Sequence, residues 1–287
     1  MKLSVIICCY NAAATIGETL EAFIGQEWDE EWEIIIANNR STDASLQVVQ
    51  RYGDLLSNLR IVDASERQGQ PFAANTGVQA AHGESVAFCD ADDVVAPGWV
   101  EAMGNALAKH DFVAAAMECE KLNAPWIVEG RGRPQSTGLQ IYHYPPYLPH
   151  AGGGTIGVKR RLYLELGGFD ETLPILHDTN FCWRLQRHGV KLHFVPEAVI
   201  HIRFRPSFKA IYRQSKSYGY YNVMLYKRYR RLDMPRLSRK RGFRAWWRLA
   251  TELPRLRTKA QRARWVRDFG WRVGRLQGSI DSRTLAL

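Results

Sequence analysis

No stretch of this 287-residue sequence stays apolar for the roughly 18 residues that a membrane-spanning helix needs, so an integral membrane protein is not expected. Cysteine is scarce: Cys8, Cys9, Cys89, Cys119 and Cys182 are odd in number and lack metal-ligand spacing. That excludes a disulfide scaffold or a zinc module and reads as reduced core thiols of a cytoplasmic protein. Met1–Tyr10 is too short for a secretory signal and has no small-residue cleavage site. Residues 8–17 hold no glycine-rich, Lys- or Arg-bearing phosphate loop, and no internal repeat or low-complexity segment is present. What is present is 46% apolar and 11% aromatic residues, enough for a sizeable core. The net charge of +10 is uneven. Lys227–Arg275 carries eighteen Lys/Arg against three Asp/Glu, which leaves residues 1–226 at −5.

Leu3–Cys9 is a continuous, β-branched apolar run, as expected of a strand buried on both faces. Thr15–Gln26 places Ile16, Leu20, Phe23 and Ile24 at helical spacing. Glu33–Ala37, Leu59–Val62 and Ser85–Cys89 read as further strands. Asp43 reads as the N-cap of a second helix, and Pro71–Ala81 and Pro97–Lys109 as two more. The alternation predicts an α/β chain with a doubly wound, mostly parallel central sheet and flanking helices. Ligands bind such sheets at the carboxyl ends of the strands. Tyr10-Asn11, Asn38–Asp43 and Asp90–Asp93 all fall there. Residues 120–155, rich in Pro, Gly, Tyr and His, read as a long loop region closing over a site. Order returns at Lys159–Leu166, with a helix at Asp178–His188, a short strand at Lys191–Val195 and a Tyr-rich helix at Ser207–Arg231.

Val86–Asp93 runs an apolar strand into three carboxylates, Asp90, Asp92 and Asp93. Carboxylates at the end of a buried strand are costly unless neutralised. Acids at i and i+2 where a strand opens suit a hard divalent cation, Mg²⁺ or Mn²⁺, of the kind that holds phosphates. On these residues alone a solvated Asp-rich turn remains an open alternative.

Four blocks, taken in order, resemble the family 2 glycosyltransferases of the GT-A fold. They are Ser4–Asn11; Glu33–Asp43, ending Asn-Asn-Arg-Ser-Thr-Asp; Ala73–Asp93 with its Asp-Ala-Asp-Asp cluster; and Gly167–Arg184, opening Gly-Gly-Phe-Asp-Glu. The resemblance implies inverting transfer of a single sugar from a nucleotide-diphosphate-sugar donor to a hydroxyl. The expected acceptor is a glycan or lipid-linked glycan of the cell envelope. Residues 1–205 would form the GT-A domain, with a nucleotide-sugar part at 1–119 and an acceptor part at 120–205. A basic helical extension would follow at 206–287.

Residue by residue, the resemblance gives Asp92 direct contact with a divalent cation, Mn²⁺ or Mg²⁺, and Asp90 the ribose or the metal through water. His201 is either a further metal ligand or a satisfied rim residue. Asp178 is the candidate general base, with His177 where the family usually has Glu; capping the following helix is a compatible second role. Cys9, Tyr10, Asn11, Asn38, Asn75, Asp90 and Ala91 fall to the nucleotide. Arg67 either reaches the diphosphate or is an ordinary surface residue. Asp170 touches a sugar or fixes its loop, and His143 and His150 are weaker candidates. The family's Asp-Asp-Gly-Ser-Thr-Asp has become Asn38-Asn39-Arg40-Ser41-Thr42-Asp43 here. An amide both donates and accepts where a carboxylate only accepts, so the base read by this loop stays open. The one Gln-x-x-Arg-Trp run after Asp178, Gln261–Trp265, lies far along the chain in the basic tail and none follows Asp178 closely, so a processive synthase is not expected.

In the basic tail, Phe243, Trp246, Trp247 and Ala250 recur at helical spacing, as do Val266, Phe269, Val273 and Leu276. Basic helices bearing Trp and Phe suit an anionic membrane surface, so peripheral attachment to the cytoplasmic face is expected, with no nucleic-acid partner. A solvated basic helical pair packed on the domain is the plainer alternative. For the whole chain the competing readings are a nucleotidyltransferase and a degenerate, membrane-associated nucleotide-sugar-binding scaffold.

Overall fold

The computed structural model describes residues 1–142 and 145–286. His143 lies outside them. In chain order the elements are β1 (Leu3–Cys9), α1 (Ile16–Glu21), β2 (Trp32–Asn38), α2 (Ser45–Gln50), β3 (Leu59–Asp63) and α3 (Gln70–Ala80). Next come β4 (Ser85–Asp90), β5 (Val94–Val95), α4 (Trp99–Lys109), β6 (Phe112–Glu118), α5 (Pro125–Arg131) and β7 (Ile156–Lys159). The chain continues with α6 (Arg160–Glu165), α7 (His177–Arg187), β8 (His193–His201), α8 (Phe208–Tyr229), α9 (Arg239–Glu252) and α10 (Lys259–Asp281). Two compact units result. One comprises Met1–Glu118, Gln135–Gln140 and Pro149–Ile202; the other comprises Cys119–Pro134, Ile141–Leu148 and Arg203–Leu287.

The first unit is built on one sheet in the order β3-β2-β1-β4-β7-β6-β8-β5. β7 runs antiparallel to β4 and β6, β5 runs antiparallel to β8, and the remaining pairs are parallel. The apolar runs are buried on both faces, as a parallel sheet covered by helices demands. Leu3, Val5, Ile7 and Cys9 of β1 join one core with Ile34 and Ile36. Ile6 joins the other with Ile35, Val86 and Phe88. The five cysteines are free thiols, four of them buried.

Three strands and a helix go beyond the sequence reading; β5 is only Val94–Val95, directly after the acidic cluster. β6, Phe-Val-Ala-Ala-Ala-Met-Glu, hides its strand character behind three alanines, and burial between β7 and β8 decides its state. β7 has only four residues, wedged between a glycine run and α6. α5 interrupts the expected long loop at 120–155, with Pro125 at its first turn where a missing N–H costs nothing. The expected short strand ending at Val195 continues to His201. The register jumps from Ala115↔Val195 to Ala116↔Val199, and the bulged residues include Pro196, which has no N–H to give the ladder.

The second unit rests on a glycine seam. A Cβ on Gly274 of α10 would stand 1.9 Å from the Lys216 carbonyl oxygen, and one on Gly219 of α8 would stand 2.2 Å from that of Trp271. Gly270 faces Tyr212, Gly274 faces Lys216 and Gly278 faces Tyr220, so both helices run the same way in four-residue steps. The buried stripe of α10 is therefore glycine rather than Val266, Val273 and Leu276; Leu276 is exposed. Among the described residues no helix is long and apolar enough to cross a membrane.

At the amino edge of the sheet Glu33 is buried. It accepts hydrogen bonds from Ser4 Oγ (2.6 Å), Arg60 Nε (2.6 Å) and the His82 backbone N–H (2.7 Å). Burial alone would raise the Glu33 pKa, but the hydrogen bonds from Arg60, Ser4 and His82 outweigh it and hold the carboxyl below the usual range. A depressed folded-state pKa stabilises the fold above the unfolded value, near 4.3, and that contribution is lost as pH falls through the folded value. Glu33→Gln is expected to cost about 1–3 kcal/mol at pH 7 and to flatten the acid limb of a stability-versus-pH curve measured by urea unfolding.

Candidate active site

Parallel pairing lines up the strand ends. Cys9 is opposite Asn38, Asn38 is opposite Asp63, and Cys8 is opposite Asp90, so these residues form one row along the carboxyl edge. Glu118 and His201 pair at the same edge of β6 and β8, and His201 also pairs with Val94, the residue after Asp93.

The first two loops are tied to each other. Asn11 takes a left-handed conformation (φ 48°), and its Oδ1 accepts the Thr42 N–H (2.8 Å). The Asn11 N–H donates to Ser41 Oγ (3.2 Å), and Asp43 accepts the N–H groups of Ala13 and Ser45 (both 3.0 Å). Asn38 Oδ1 accepts the Ser41 N–H (3.3 Å). Tyr10 is half exposed above this edge. Cys9 is fully buried, and its carbonyl accepts the Asn39 N–H (2.8 Å), so it shapes the loop from beneath. Asn39 is a hub: its Nδ2 donates to the carbonyls of Ala64 (2.6 Å) and Arg67 (2.7 Å), and its Oδ1 accepts the Gly69 N–H (2.7 Å). A carboxylate here could not donate, which is the physical reason for an amide.

Asp90, Asp92 and Asp93 bring carboxylate oxygens within 4.8 Å of one another, with Asp93 buried. Asp90 Oδ1 accepts from Gln70 Nε2 (2.9 Å), and the buried Ala91 gives its carbonyl to Thr15 Oγ1 (2.9 Å). Three clustered acids at a strand end form an oxygen donor set that fits a hard divalent cation. His201 stands outside this 4.8 Å group and is held by its Nδ1 against Glu118 Oε2 (2.6 Å). Fixing a histidine through one ring nitrogen is how metal-ligating imidazoles are oriented.

Asp178 sits in the first turn of α7, where the helix dipole favours a carboxylate. Its Oδ1 accepts the Thr179 N–H (2.7 Å) and its Oδ2 accepts the Gly153 N–H (2.9 Å). The next residue, Gly154, lies against Asp90: a Cβ there would be 2.9 Å from Asp90 Cγ and 3.0 Å from its backbone nitrogen. One Gly-Gly step thus separates the candidate base from the acidic cluster. Two buried histidines flank Asp178. Desolvation pushes His150 down to about 4 and also lowers His177, with Asp178 opposing both shifts, so both rings stay neutral at pH 7.

The sequence profile of Glycosyl transferase family 2 matches residues 4–167. The chain belongs to this family. An uncharacterised glycosyltransferase of Escherichia coli, YibD, is 36% identical over 131 residues, which cover 46% of this chain and 36% of that one. Across four such bacterial relatives the match covers 15 to 36% of the relative's own length. Among solved structures, Staphylococcus aureus TarS 1–349 in complex with UDP-GlcNAc superposes with a TM-score of 0.60 at 19% identity, over 100% of this chain and 93% of that one. The mannosyltransferase PcManGT of Pyrobaculum calidifontis, in complex with GDP-Man and Mn²⁺, gives 0.62 at 17% identity, over 100% and 76%. These likenesses establish the GT-A fold.

Two residues assigned to the nucleotide by the family resemblance have other partners. The Asn75 amide is fully committed: its Nδ2 donates to the Phe169 carbonyl (3.0 Å) and Glu171 Oε1 (2.9 Å), and its Oδ1 accepts from Tyr163 Oη (2.7 Å) and the Phe169 N–H (2.9 Å). It pins the Gly-Gly-Phe-Asp-Glu segment to α3. Arg67 pairs with Glu171 (2.6 Å) and lies over the Phe72 ring. Asp170 accepts from the N–H (3.0 Å) and hydroxyl (2.6 Å) of Thr172, which fixes its own loop. Sequence reasoning passed over Gly153, Gly154 and Glu118. The run Gly152-Gly153-Gly154 was a readable signal, and β6 ends on Glu118 much as β4 ends on Asp90, an apolar run closing on an acid.

Two substitutions test this geometry. Gly154→Ala should destabilise by about 1–3 kcal/mol through overpacking against Asp90. Gly153→Ala should stay close to the parent, because its Cβ would meet Asp178 at an ordinary 3.5 Å; chemical denaturation separates the pair. Asn39→Asp should cost about 2–3 kcal/mol by facing a carboxylate with two carbonyls. Burial beside those carbonyls raises the pKa of the introduced acid, so the deficit should grow as pH rises from 4 to 8 in thermal unfolding.

Proposed function

We propose that this chain transfers a sugar from a nucleotide-diphosphate-sugar to a hydroxyl of a cell-envelope glycan or lipid-linked glycan, inverting the anomeric centre. The observation that carries this reading is the Gly153-Gly154 step, with Asp178 on one side and Asp90, Asp92 and Asp93 on the other. The solved relatives hold UDP-GlcNAc or GDP-Man, one with Mn²⁺, and Staphylococcus aureus TarS is named for transfer to poly(ribitol-phosphate).

In this reading Asp92, supported by Asp90 and Asp93, would hold a divalent cation, with His201 presented by Glu118 as a further ligand. Such a cation neutralises the diphosphate leaving group when bound. The tied loops at Asn11 and Asn38–Thr42 receive the nucleoside, and Tyr10 offers an exposed ring over it. Asn38 presents an amide to the base edge. Asp178, with Gly153 and Thr179 fixing its two oxygens, takes the acceptor hydroxyl's proton as that oxygen attacks the anomeric carbon. One base acting on one displacement leaves the sugar inverted. The neutral His150 and His177 place no positive charge beside Asp178 that would weaken it as a base. A degenerate scaffold takes its motive from the Asn38-Asn39 and His177 departures from the family pattern, and Asn39 has a structural reason of its own in three hydrogen bonds.

Asp178→Asn should keep metal-dependent thermal stabilisation by the cognate donor while lowering transfer by a factor of at least about 10². Asp92→Asn should lose the metal-dependent part of that stabilisation. An Asp178→Asn variant with full transfer activity would remove Asp178 from the mechanism.

A further inference from the structure

α9 sorts its residues onto two opposed faces. Gly242 and Leu249 are buried, and Ala245 and Trp246 half-buried, on one side. There the Trp246 ring meets Phe269 edge-on, Trp265 stacks on Phe269, and Trp265 Nε1 donates to the Leu249 carbonyl (2.9 Å). That side anchors α9 to α10, so the helix cannot turn its other face inward. The expected stripe of Phe243, Trp246, Trp247 and Ala250 is therefore split. Phe243 and Trp247, one turn apart, remain 66% and 72% exposed. Lys240, Arg244 and Arg248, all exposed, form a row beside them on the same outer face. From Arg230 to Arg257 the chain carries ten Lys/Arg against Asp233 and Glu252.

We propose that this outer face of α9 docks on the surface of an anionic phospholipid bilayer. Two exposed aromatic rings with a row of cations beside them on one helix face match an interfacial helix, whose rings sit at headgroup depth and whose cations meet lipid phosphates. Phosphate contacts of a nucleic acid require cations alone, whereas the two exposed rings on this face give apolar area that a lipid interface takes out of water. The excess of positive charge on α9 also repels a second copy of the same face. α10 is not the docking element, because its exposed large apolar residues are the aliphatic Leu276 and Ile280, and its aromatic rings are at least half-buried. This inference is independent of the transfer reaction and makes α9, rather than the whole basic tail, the determinant.

The test is co-sedimentation of the full-length protein with vesicles of phosphatidylcholine alone, or with 30% phosphatidylglycerol, at about 0.1 M salt. Binding should be at least tenfold tighter to the anionic vesicles and should weaken as salt rises. Phe243→Ser with Trp247→Ser should lower it at least tenfold, as should Lys240→Glu with Arg244→Glu, with unfolding curves unchanged. Ile280→Ser, on an exposed position of α10, should leave binding at the parent level. Equal binding to neutral vesicles, or no loss in either α9 variant, would overturn the proposal. So would tighter binding to an RNA oligonucleotide than to anionic vesicles, or a dimer in solution that the Phe243→Ser/Trp247→Ser variant dissolves.

Discussion

Residue 154 has no room for a side chain, and the site depends on that. With glycine there, the backbone closes on Asp90 while the preceding N–H holds Asp178, so carboxylates from β4 and α7 share one wall. The arrangement is braced from below by Gln135, a buried residue in the left-handed region. Its Nε2 donates to the Ala115 carbonyl and Thr155 Oγ1 (both 2.7 Å), and its Oε1 accepts from the Gly152 N–H (3.1 Å) and Gln140 Nε2 (3.0 Å). With every polar group of that buried amide satisfied, the turn at 152–155 has one low-energy position. Sheet register fixes the height of Asp90, Gln135 fixes the turn, and the turn fixes Asp178.

The two edges of the sheet carry opposite electrostatic designs. At the amino edge a buried carboxylate, Glu33, is surrounded by donors and stabilises the fold. At the carboxyl edge three carboxylates bring oxygens within 4.8 Å of one another, a donor set that fits a hard divalent cation. Acids placed where they cost stability, on strands otherwise optimised for burial, mark a site for ligand rather than for folding. The loops around that edge are stiff for the same purpose. Asn11, Asn39 and Asp43 each tie two segments, so the surface that would receive a nucleoside is formed before anything binds.

Much of this was legible in the sequence, for identifiable reasons. β1, β2 and β4 are long β-branched or apolar runs, and burial on both faces leaves them no other state. The acids after β4 stood out because the strand before them was so clear. β6 was not legible, because three alanines carry no strand signal and only its neighbours make it a strand. The role of Asn75 was not legible either, since a motif position says nothing of whether an amide's four hydrogen-bonding groups are already taken. In the tail, periodicity grouped Trp246 with Trp247, yet only packing against Phe269 tells which ring turns inward. The glycines of α10 looked like gaps in an apolar stripe, whereas they are the contact surface.

The central claim is that the acidic cluster and Asp178 line one site across Gly153-Gly154. The most direct measurement is paramagnetic broadening of backbone amide signals in a ¹⁵N-labelled sample titrated with Mn²⁺ and a nucleoside diphosphate. The account predicts that the Gly153 and Gly154 amides broaden first, together with Ala91 and Asp92, while Gly83 at the amino edge stays sharp. Saturable Mn²⁺ binding that leaves Gly153 and Gly154 unbroadened would contradict it.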